Sequence, residues 1–251
     1  MSRKTGYRVE IHSCTDTGHA RERNEDTFGE FAHPSGRVLL VVADGMGGHR
    51  GGSTASRMAV DEIGACFESA EASSGDNQRL LTLAVNRANA AIHERSRNNV
   101  ELARMGTTAT VLLFDPRGES GVAHVGDSRA YRLRANELTA LTTDHSLVAL
   151  LVREGQLTQE ETRVHPRRNE ILRSIGIEPR VEVDYNPLDV APGDRFLLCS
   201  DGLHGVVPEA EIAARLALPN GRDAAQALVA QAHHYGSPDN VTVMLAQVRA
   251  G

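Results

Sequence analysis

Aspartates stand at strand boundaries at widely separated points of the sequence, and they are the residues best suited to chemistry. Asp44, Asp127 and Asp201 each follow an apolar run that predicts a buried strand, while Asp239 and Asp26 each precede one. In an antiparallel sheet, the end of one strand lies beside the start of its neighbour. All five acids can therefore share one edge. Carboxylates crowded in this way repel one another unless cations lie between them.

Oxygen ligands of this kind select hard divalent ions. Carboxylates, carbonyls and water suit Mg²⁺ or Mn²⁺ better than zinc. Asp44 is followed by Gly45, Gly47 and Gly48, which let the backbone approach a cation and offer carbonyls to it. The alternative is an ordinary turn, because turns favour aspartate. Two ions about 3.5–4 Å apart would activate a water for hydrolysis of a phosphate ester.

A dense charged segment, residues 21–26, lies ahead of the short strand that follows Asp26. Arg21 or Arg23 is placed to hold a phosphate through two parallel hydrogen bonds. The alternative is a solvated loop, and the spacing alone leaves both interpretations open.

The composition is that of an ordinary globular protein. Its 251 residues carry a formal net charge of −6, which gives no general electrostatic support for a nucleic-acid partner. Cys14, Cys66 and Cys199 show neither metal nor disulfide spacing, as expected in a reducing compartment. The first residues lack the apolar core of a signal peptide, and no run approaches the roughly 18 apolar residues of a membrane span. We expect a cytoplasmic protein with no membrane partner.

The elements that position these acids are strands interleaved with amphipathic helices. Apolar periodicity predicts a helix capped by Ser53 or Thr54, and two later helices over about 209–218 and 223–235. Residues from about 145 to 180, here called the flap, are charged and predict a surface excursion with one short helix. The flap arginines include Arg163, Arg167, Arg168 and Arg173. No linker divides the chain, so residues 1–251 are expected to form a single domain.

Together these motifs resemble the metal-dependent serine/threonine protein phosphatases of the 2C type, the PPM family, particularly its compact bacterial members. The matching motifs run along nearly the whole chain: Gly18-His19-Ala20-Arg21 with Asn24-Glu25-Asp26, Ala43-Asp44-Gly45-Met46-Gly47-Gly48, Gly106-Thr107-Thr108, Val125-Gly126-Asp127-Ser128-Arg129, Ser200-Asp201-Gly202-Leu203 and Asp239-Asn240-Val241-Thr242. The resemblance implies an α+β fold, a four-layer α-β-β-α sandwich with two central antiparallel sheets flanked by helices. It places the metals at one end of the sandwich.

The resemblance also implies a metal role for each matching acid. Asp44 looks like the bridging ligand, and Gly45 like a carbonyl ligand. Asp201 and Asp239 look like ligands of the first metal. Asp127 looks like a ligand, shared with Asp201, of a third and weaker metal. The implied cofactor is Mn²⁺ or Mg²⁺, as two core ions, with the third left open.

Three further residues take roles from the same resemblance. Arg21 looks like the arginine that binds the substrate phosphate, and with Asp44 it forms the expected catalytic pair. Asp26 and Glu25 look like acids that hold metal-bound water. The flap matches the segment of the family that is thought to influence substrate choice.

One position departs from the family pattern. Some members carry a histidine two residues after the bridging aspartate as general acid, and here that residue is Met46. The proton donor is therefore open between His49 and a water on the third metal, with His49 expected to be a loop residue without a role. His204, beside Asp201, is expected to be an ordinary loop residue, and Met105 and Cys199 are expected to pack in the core.

The function that follows is metal-dependent hydrolysis of phosphoserine and phosphothreonine in proteins. Phosphorylated proteins, and a bacterial serine/threonine kinase that produces them, are the expected partners. Two alternatives stay open: a catalytically inactive relative that binds phosphopeptides, and a phosphoesterase that acts on a small metabolite.

Overall fold

The strands predicted by apolar runs assemble into two antiparallel sheets in a computed structural model, which describes residues 6–47, 50–70 and 76–251. The strands are β1 (Tyr7–Asp16), β2 (Asp26–Ala32), β3 (Val38–Met46), β4 (Gly106–Thr107), β5 (Ala109–Phe114), β6 (Ser120–Val125), β7 (Arg129–Arg134), β8 (Glu137–Ala140), β9 (Asp184–Leu188), β10 (Arg195–Cys199) and β11 (Val241–Ala250). One sheet has the order β1-β11-β10-β7-β8. The other has the order β2-β3-β5-β6-β9, and β4 pairs with β3.

Helices cover the outer face of each sheet. The helices are α1 (Gly51–Glu68), α2 (Asn77–Asn98), α3 (Leu147–Arg153), α4 (Asp201–His204), α5 (Glu209–Leu216) and α6 (Gly221–His234), with 3₁₀ turns at Val100–Leu102 and Glu161–Val164, and α3 lies in the flap. Helices α1 and α2 pack on the β3 sheet, whereas α4, α5 and α6 pack on the β11 sheet. None of the helices in the described residues has both the length and the apolarity needed to cross a membrane.

Successive side chains of a central strand point to opposite faces of its sheet, and this alternation explains the layers of the sandwich. In β3, Leu39 and Val41 face α1 and α2, whereas Leu40 and Val42 enter the core between the two sheets. Such a strand is buried on both faces, so an unbroken apolar run is what its position requires. The predicted four-layer α-β-β-α sandwich is confirmed.

The start of α1 differs from the prediction. The helix begins at Gly51, and neither Ser53 nor Thr54 caps it; the Thr54 hydroxyl instead donates to the Arg50 carbonyl. A Cβ on Gly45 would lie 2.2 Å from the carbonyl oxygen of Gly52. Glycines are therefore needed where the first turn of α1 packs on the end of β3.

Strand β9 was not predicted from the sequence. It contains Pro187 and pairs only with β6, at the edge of its sheet. Proline is tolerated at such an edge, because its missing N–H faces away from the neighbouring strand.

The flap leaves the end of β8 and returns to β9. Its ordered helix, α3, covers residues 147–153, close to the predicted segment. Main-chain bridges join Ser146 to Ile171 within the flap and Ile175 to Thr107 of β4. The flap is thus attached at its base to the strand that lies beside the predicted metal ligand Gly45.

Candidate active site

Strand register brings the first two acids together. Asp26 begins β2 and lies directly opposite Asp44 on β3. The Asp44 backbone is fixed on its other side by Thr108, whose hydroxyl accepts from the Asp44 N–H at 2.8 Å. Thr107 donates its hydroxyl to the Asp44 carbonyl at 2.7 Å. The Asp44 main chain is therefore held by strand pairing with β2 on one side and by two threonine hydroxyls on the other.

Asp201 and Asp239 are brought together by a close backbone approach between two turns. A Cβ at Gly202 would lie only 1.9 Å from the Asn240 carbonyl oxygen, so only glycine fits after Asp201. Ser237, in the turn before β11, donates its hydroxyl to the Gly202 carbonyl at 2.8 Å. The two acids therefore share one end of the β11 sheet.

Asp127 lies in the tight turn between β6 and β7 and is 6% exposed. The adjacent Ser128 hydroxyl hydrogen-bonds to Thr108 at 2.8 Å, which connects this turn to the Asp44 strand. His204 Nε2 lies 2.8 Å from the Asp127 carbonyl oxygen. The structure thus gathers the five predicted aspartates, hereafter the acidic rim, at the ends of both sheets.

Burial and mutual repulsion raise the pKa values of the rim carboxyls. Burial raises the pKa of Asp26 to about 6 and that of Asp201 to about 7, and the charge of Asp239 adds to both increases. Burial also raises the pKa of Asp44 well above its usual range, helped by the charges of Asp26 and Asp201. The pKa of Asp127 rises for the same reasons. These carboxylates lie close enough to repel one another, so a positive charge among them would be stabilising.

Three rim oxygens are buried and make no hydrogen bond: Oδ1 of Asp26, Asp127 and Asp201. Such atoms are costly unless they acquire a partner. Among residues 6–47, 50–70 and 76–251, no three His, Cys, Asp or Glu side chains are already close enough to hold an ion together. The donor chemistry nevertheless fits Mg²⁺ or Mn²⁺, which take carboxylate oxygens as ligands.

Arg21 reaches the rim from the loop between β1 and β2. Its Nη2 donates to Asp239 Oδ2 at 2.6 Å, and its side chain remains 51% exposed. Arg21 is thus a partly solvated guanidinium beside a rim acid, the arrangement expected of a group that binds an incoming anion. Arg23 is not free either, because its carbonyl accepts a hydrogen bond from the Asn240 side chain.

Glu25 is placed beside the rim by its backbone. Its carbonyl accepts from the Gly45 N–H at 3.2 Å and from the Ser56 hydroxyl at 2.6 Å. Its carboxylate lies against Gly52, where an added Cβ would be 2.8 Å from Oε2. Glu25 and Gly45 are therefore neighbours in the structure, as their predicted roles require.

Two supporting residues were missed by the sequence analysis. The Asn240 side chain accepts from the Glu25 N–H and donates to the carbonyls of Thr17 and Arg23, so it holds the loop that carries Arg21. The Ser200 hydroxyl donates to Asp26 Oδ2 at 2.7 Å. Each residue stands beside a rim aspartate in one of the motifs quoted above, which was the available signal, but no role was assigned to it.

The histidine predictions have different outcomes. His204 is not an ordinary loop residue: it lies in α4, is 8% exposed, and contacts the Asp127 carbonyl. Burial lowers its pKa to about 3, so the ring is neutral.

Gly48 and His49 lie outside the described residues. Met46 ends β3 opposite Gly106, while Met105 and Cys199 are buried in the core as predicted.

Comparison with known proteins decides the family. The family model described as protein phosphatase 2C matches residues 15–247. The chain belongs to the protein phosphatase 2C family. The serine/threonine phosphatase stp of Listeria welshimeri is 37% identical over 236 residues, which cover 93% of this chain and 93% of that protein.

Solved structures agree with this assignment. The serine/threonine phosphatase PstP/Ppp of Mycobacterium tuberculosis superposes with a TM-score of 0.88 at 38% identity, covering 96% of this chain and 99% of that one. A PstP catalytic domain in complex with 2 manganese ions gives a TM-score of 0.85 at 36% identity, covering 97% and 99%. The predicted family, fold class and protein phosphatase activity are confirmed.

Proposed function

We propose that this protein hydrolyses phosphoserine and phosphothreonine in proteins, and that divalent ions held by the acidic rim are required. The observation that carries the proposal is the set of buried, unpartnered carboxylate oxygens on Asp26, Asp127 and Asp201. A PstP catalytic domain that superposes on this chain contains 2 manganese ions. Mn²⁺ or Mg²⁺ is therefore the proposed cofactor.

The proposed ligands are Asp44, Asp201 and Asp239 through their carboxylates and Gly45 through its carbonyl. Asp127 would join Asp201 at a third ion. When bound, such ions lower the pKa of water and shield the phosphoryl oxygens. Asp26, held by Ser200, and Glu25, held through its backbone, would accept hydrogen bonds from the water molecules at the site.

Arg21 is the proposed phosphate-binding residue. Because its guanidinium already contacts Asp239 and is half exposed, a phosphate that arrives at the rim meets its free donors. A guanidinium presents two parallel N–H groups to a phosphate, which orients the phosphoryl group as well as attracting it. Arg21 therefore positions the phosphorus atom opposite the rim.

The proposed substrates are phosphorylated proteins, and a serine/threonine kinase that produces them is the proposed partner. Residues 1–251 are proposed to act as one catalytic domain. The predicted cytoplasmic location stays a prediction. The sequence-based alternatives, an inactive phosphopeptide-binding relative and a metabolite phosphoesterase, are outcomes of the test below.

The test compares turnover of a phosphothreonine peptide with and without Mn²⁺, alongside calorimetric titration of Mn²⁺ into the chelator-treated protein. We expect Mn²⁺ binding, and peptide turnover only when Mn²⁺ is present. Turnover that survives chelation would contradict the proposal. Mn²⁺ binding without turnover would favour the inactive relative, and preferential turnover of nucleoside monophosphates would favour the metabolite enzyme.

A further inference from the structure

A cavity of about 810 Å³ extends from the acidic rim to the flap. Its lining includes Asp127 and Asp201 of the rim, and on the flap side Arg153, Arg163 and Arg168. A peptide whose phosphorylated residue reached the rim would place neighbouring side chains in this cavity. The charges on the flap side therefore bear on which peptides bind.

The flap arginines differ in whether they are paired with an acid. Arg167 is paired with Glu170 at 2.7 Å, and Arg173 with Asp184 at 2.6 Å. By contrast, the three flap arginines that line the cavity, Arg153, Arg163 and Arg168, are exposed and make no side-chain hydrogen bond or ion pair with any described residue. The flap guanidinium groups that line the cavity are thus without a counter-charge among the described residues, whereas Arg129, which also lines it, is bound to Asp144.

The acids in the cavity wall do not cancel this charge. Asp144 is occupied by Arg129, which donates two hydrogen bonds to it at 2.8 Å each. Glu209 lies 3.8 Å from the same guanidinium. Among the described flap residues in the lining, Glu160 is the acid, against three arginines. The flap side of the cavity therefore carries a net positive charge, next to a rim that is negative.

We propose that this cavity is a subsite for acidic side chains that flank the phosphorylated residue of the substrate. The inference rests on the proposed function and names a specificity for it. An acidic side chain beside unpaired guanidinium groups forms charge-assisted hydrogen bonds, whereas a neutral side chain leaves those groups in water. Arg153, Arg163 and Arg168 are accordingly specificity-determining residues.

Paired phosphothreonine peptides test the subsite. One peptide carries Asp and Glu on both sides of the phosphothreonine, and its partner carries Asn and Gln at the same positions. For the unmodified enzyme with Mn²⁺, we expect kcat/KM to be about tenfold higher on the acidic peptide, a size typical of a few exposed ion pairs acting together. The preference should shrink as salt is raised.

Substitution of the arginines should remove this preference. The triple variant Arg153→Gln, Arg163→Gln, Arg168→Gln should treat the two peptides alike, mainly through a higher KM on the acidic one. Arg167→Gln is the matched control, because this neighbouring arginine is paired and does not line the cavity. It should keep the full preference. Turnover of a small aryl phosphate, which is too short to reach the flap, reports the reacting centre separately.

Several results would overturn the inference. One is equal turnover of both peptides by the unmodified enzyme, and another is an acidic preference that persists in the triple variant. An equal loss of preference in Arg167→Gln would indicate a diffuse positive field and not a subsite. If neither peptide nor aryl phosphate is hydrolysed, the proposed function fails. Fluorescence anisotropy then decides the subsite, and equal binding of the two peptides would overturn it.

Discussion

The acidic rim and the flap are built on opposite physical principles. The rim collects carboxylates of one sign at the ends of strands from both sheets, where register and close backbone contacts fix them. The flap carries charges of both signs on a seven-residue helix, a 3₁₀ turn and connecting loops, and most of them face water. The rim therefore holds charge that proteins normally avoid burying, whereas the flap holds charge that costs little.

This difference explains why catalysis belongs to the rim and selection among substrates to the flap. Chemistry needs groups held in place and partly shielded from water, because shielding strengthens their interaction with a bound ion. Selection among substrates needs groups that remain solvated and available until a partner arrives. Substitutions in the rim should accordingly have large effects on turnover, and substitutions in the flap should have small effects that depend on the substrate.

The largest expected effect tests whether the rim is the reacting centre. Asp44→Asn keeps the shape of the side chain but removes a charge at the middle of the rim. We expect kcat with Mn²⁺ to fall by at least roughly a hundredfold to a thousandfold, the usual cost of removing a preorganised catalytic group. Calorimetry should show weaker Mn²⁺ binding in the same variant. Activity within a few-fold of the unmodified enzyme would show that Asp44 has no such role.

The next largest expected effect distinguishes a role of Arg21 in substrate binding from a role in metal binding. Arg21→Ala should raise the KM for a phosphopeptide by about tenfold or more, since a hydrogen bond to a charged group contributes about 1.5–3 kcal/mol. The Mn²⁺ affinity should change much less. Arg23→Ala, on the same loop, is the control. A parallel loss of bound Mn²⁺ in Arg21→Ala would assign this residue to the metal site through its contact with Asp239.

A pH dependence tests the repulsion within the rim. A carboxyl whose pKa is higher in the folded chain than in the unfolded chain binds more protons when folded, so stability falls as pH rises towards the folded value. For Asp201 this decline runs from about 4 to about 7, and the raised pKa values of Asp44 and Asp127 act in the same direction. The buried histidines His124 and His204 oppose it only below their ordinary pKa of 6.5.

The measurement is therefore made from pH 6.5, the ordinary histidine pKa, upwards. Without metal, Tm should fall by about 2–3 °C on going to about pH 8, the order expected from about 1 kcal/mol in a chain of this length. Saturating Mn²⁺ should remove the fall, and Asp201→Asn should reduce it. A Tm that stays constant or rises without metal would contradict strong repulsion in the rim.

The smallest expected effect tests whether the flap and the acidic rim act independently. His145, at the base of the flap, accepts from the Gly126 N–H through Nδ1 at 3.0 Å, one residue before Asp127. Its Nε2 lies 3.2 Å from Asp184, which is also bound by Arg173. His145→Ala should raise the Mn²⁺ concentration for half-maximal turnover by at most about tenfold, as for groups that orient a ligand indirectly. No change would show that the flap and the rim act separately.

The contrast between buried and solvated regions also explains which features could be predicted from the sequence. Apolar runs such as the one in β3 identify buried strands, because a strand covered on both faces must be apolar throughout. The acids beside those runs could be selected because aspartates repeated at strand ends are not required by the core. Strand β9, which has Pro187 and lies at an edge, has no such signal. Asn240, Ser200 and His204 look like ordinary polar residues until their partners are known.

By itself, the sequence determined the individual strands and the candidate rim acids, because these depend on local apolar periodicity and on residue types at strand ends. Its motifs carried the resemblance to the family, and that resemblance implied the layered fold. Only the tertiary structure decided which of those acids are neighbours, which polar side chains hold them, and which flap arginines lack a counter-charge. Arg167 and Arg168 are adjacent in sequence, yet one is paired with Glu170 and the other faces the cavity. Pairing and burial depend on residues distant along the chain, and no local pattern encodes them.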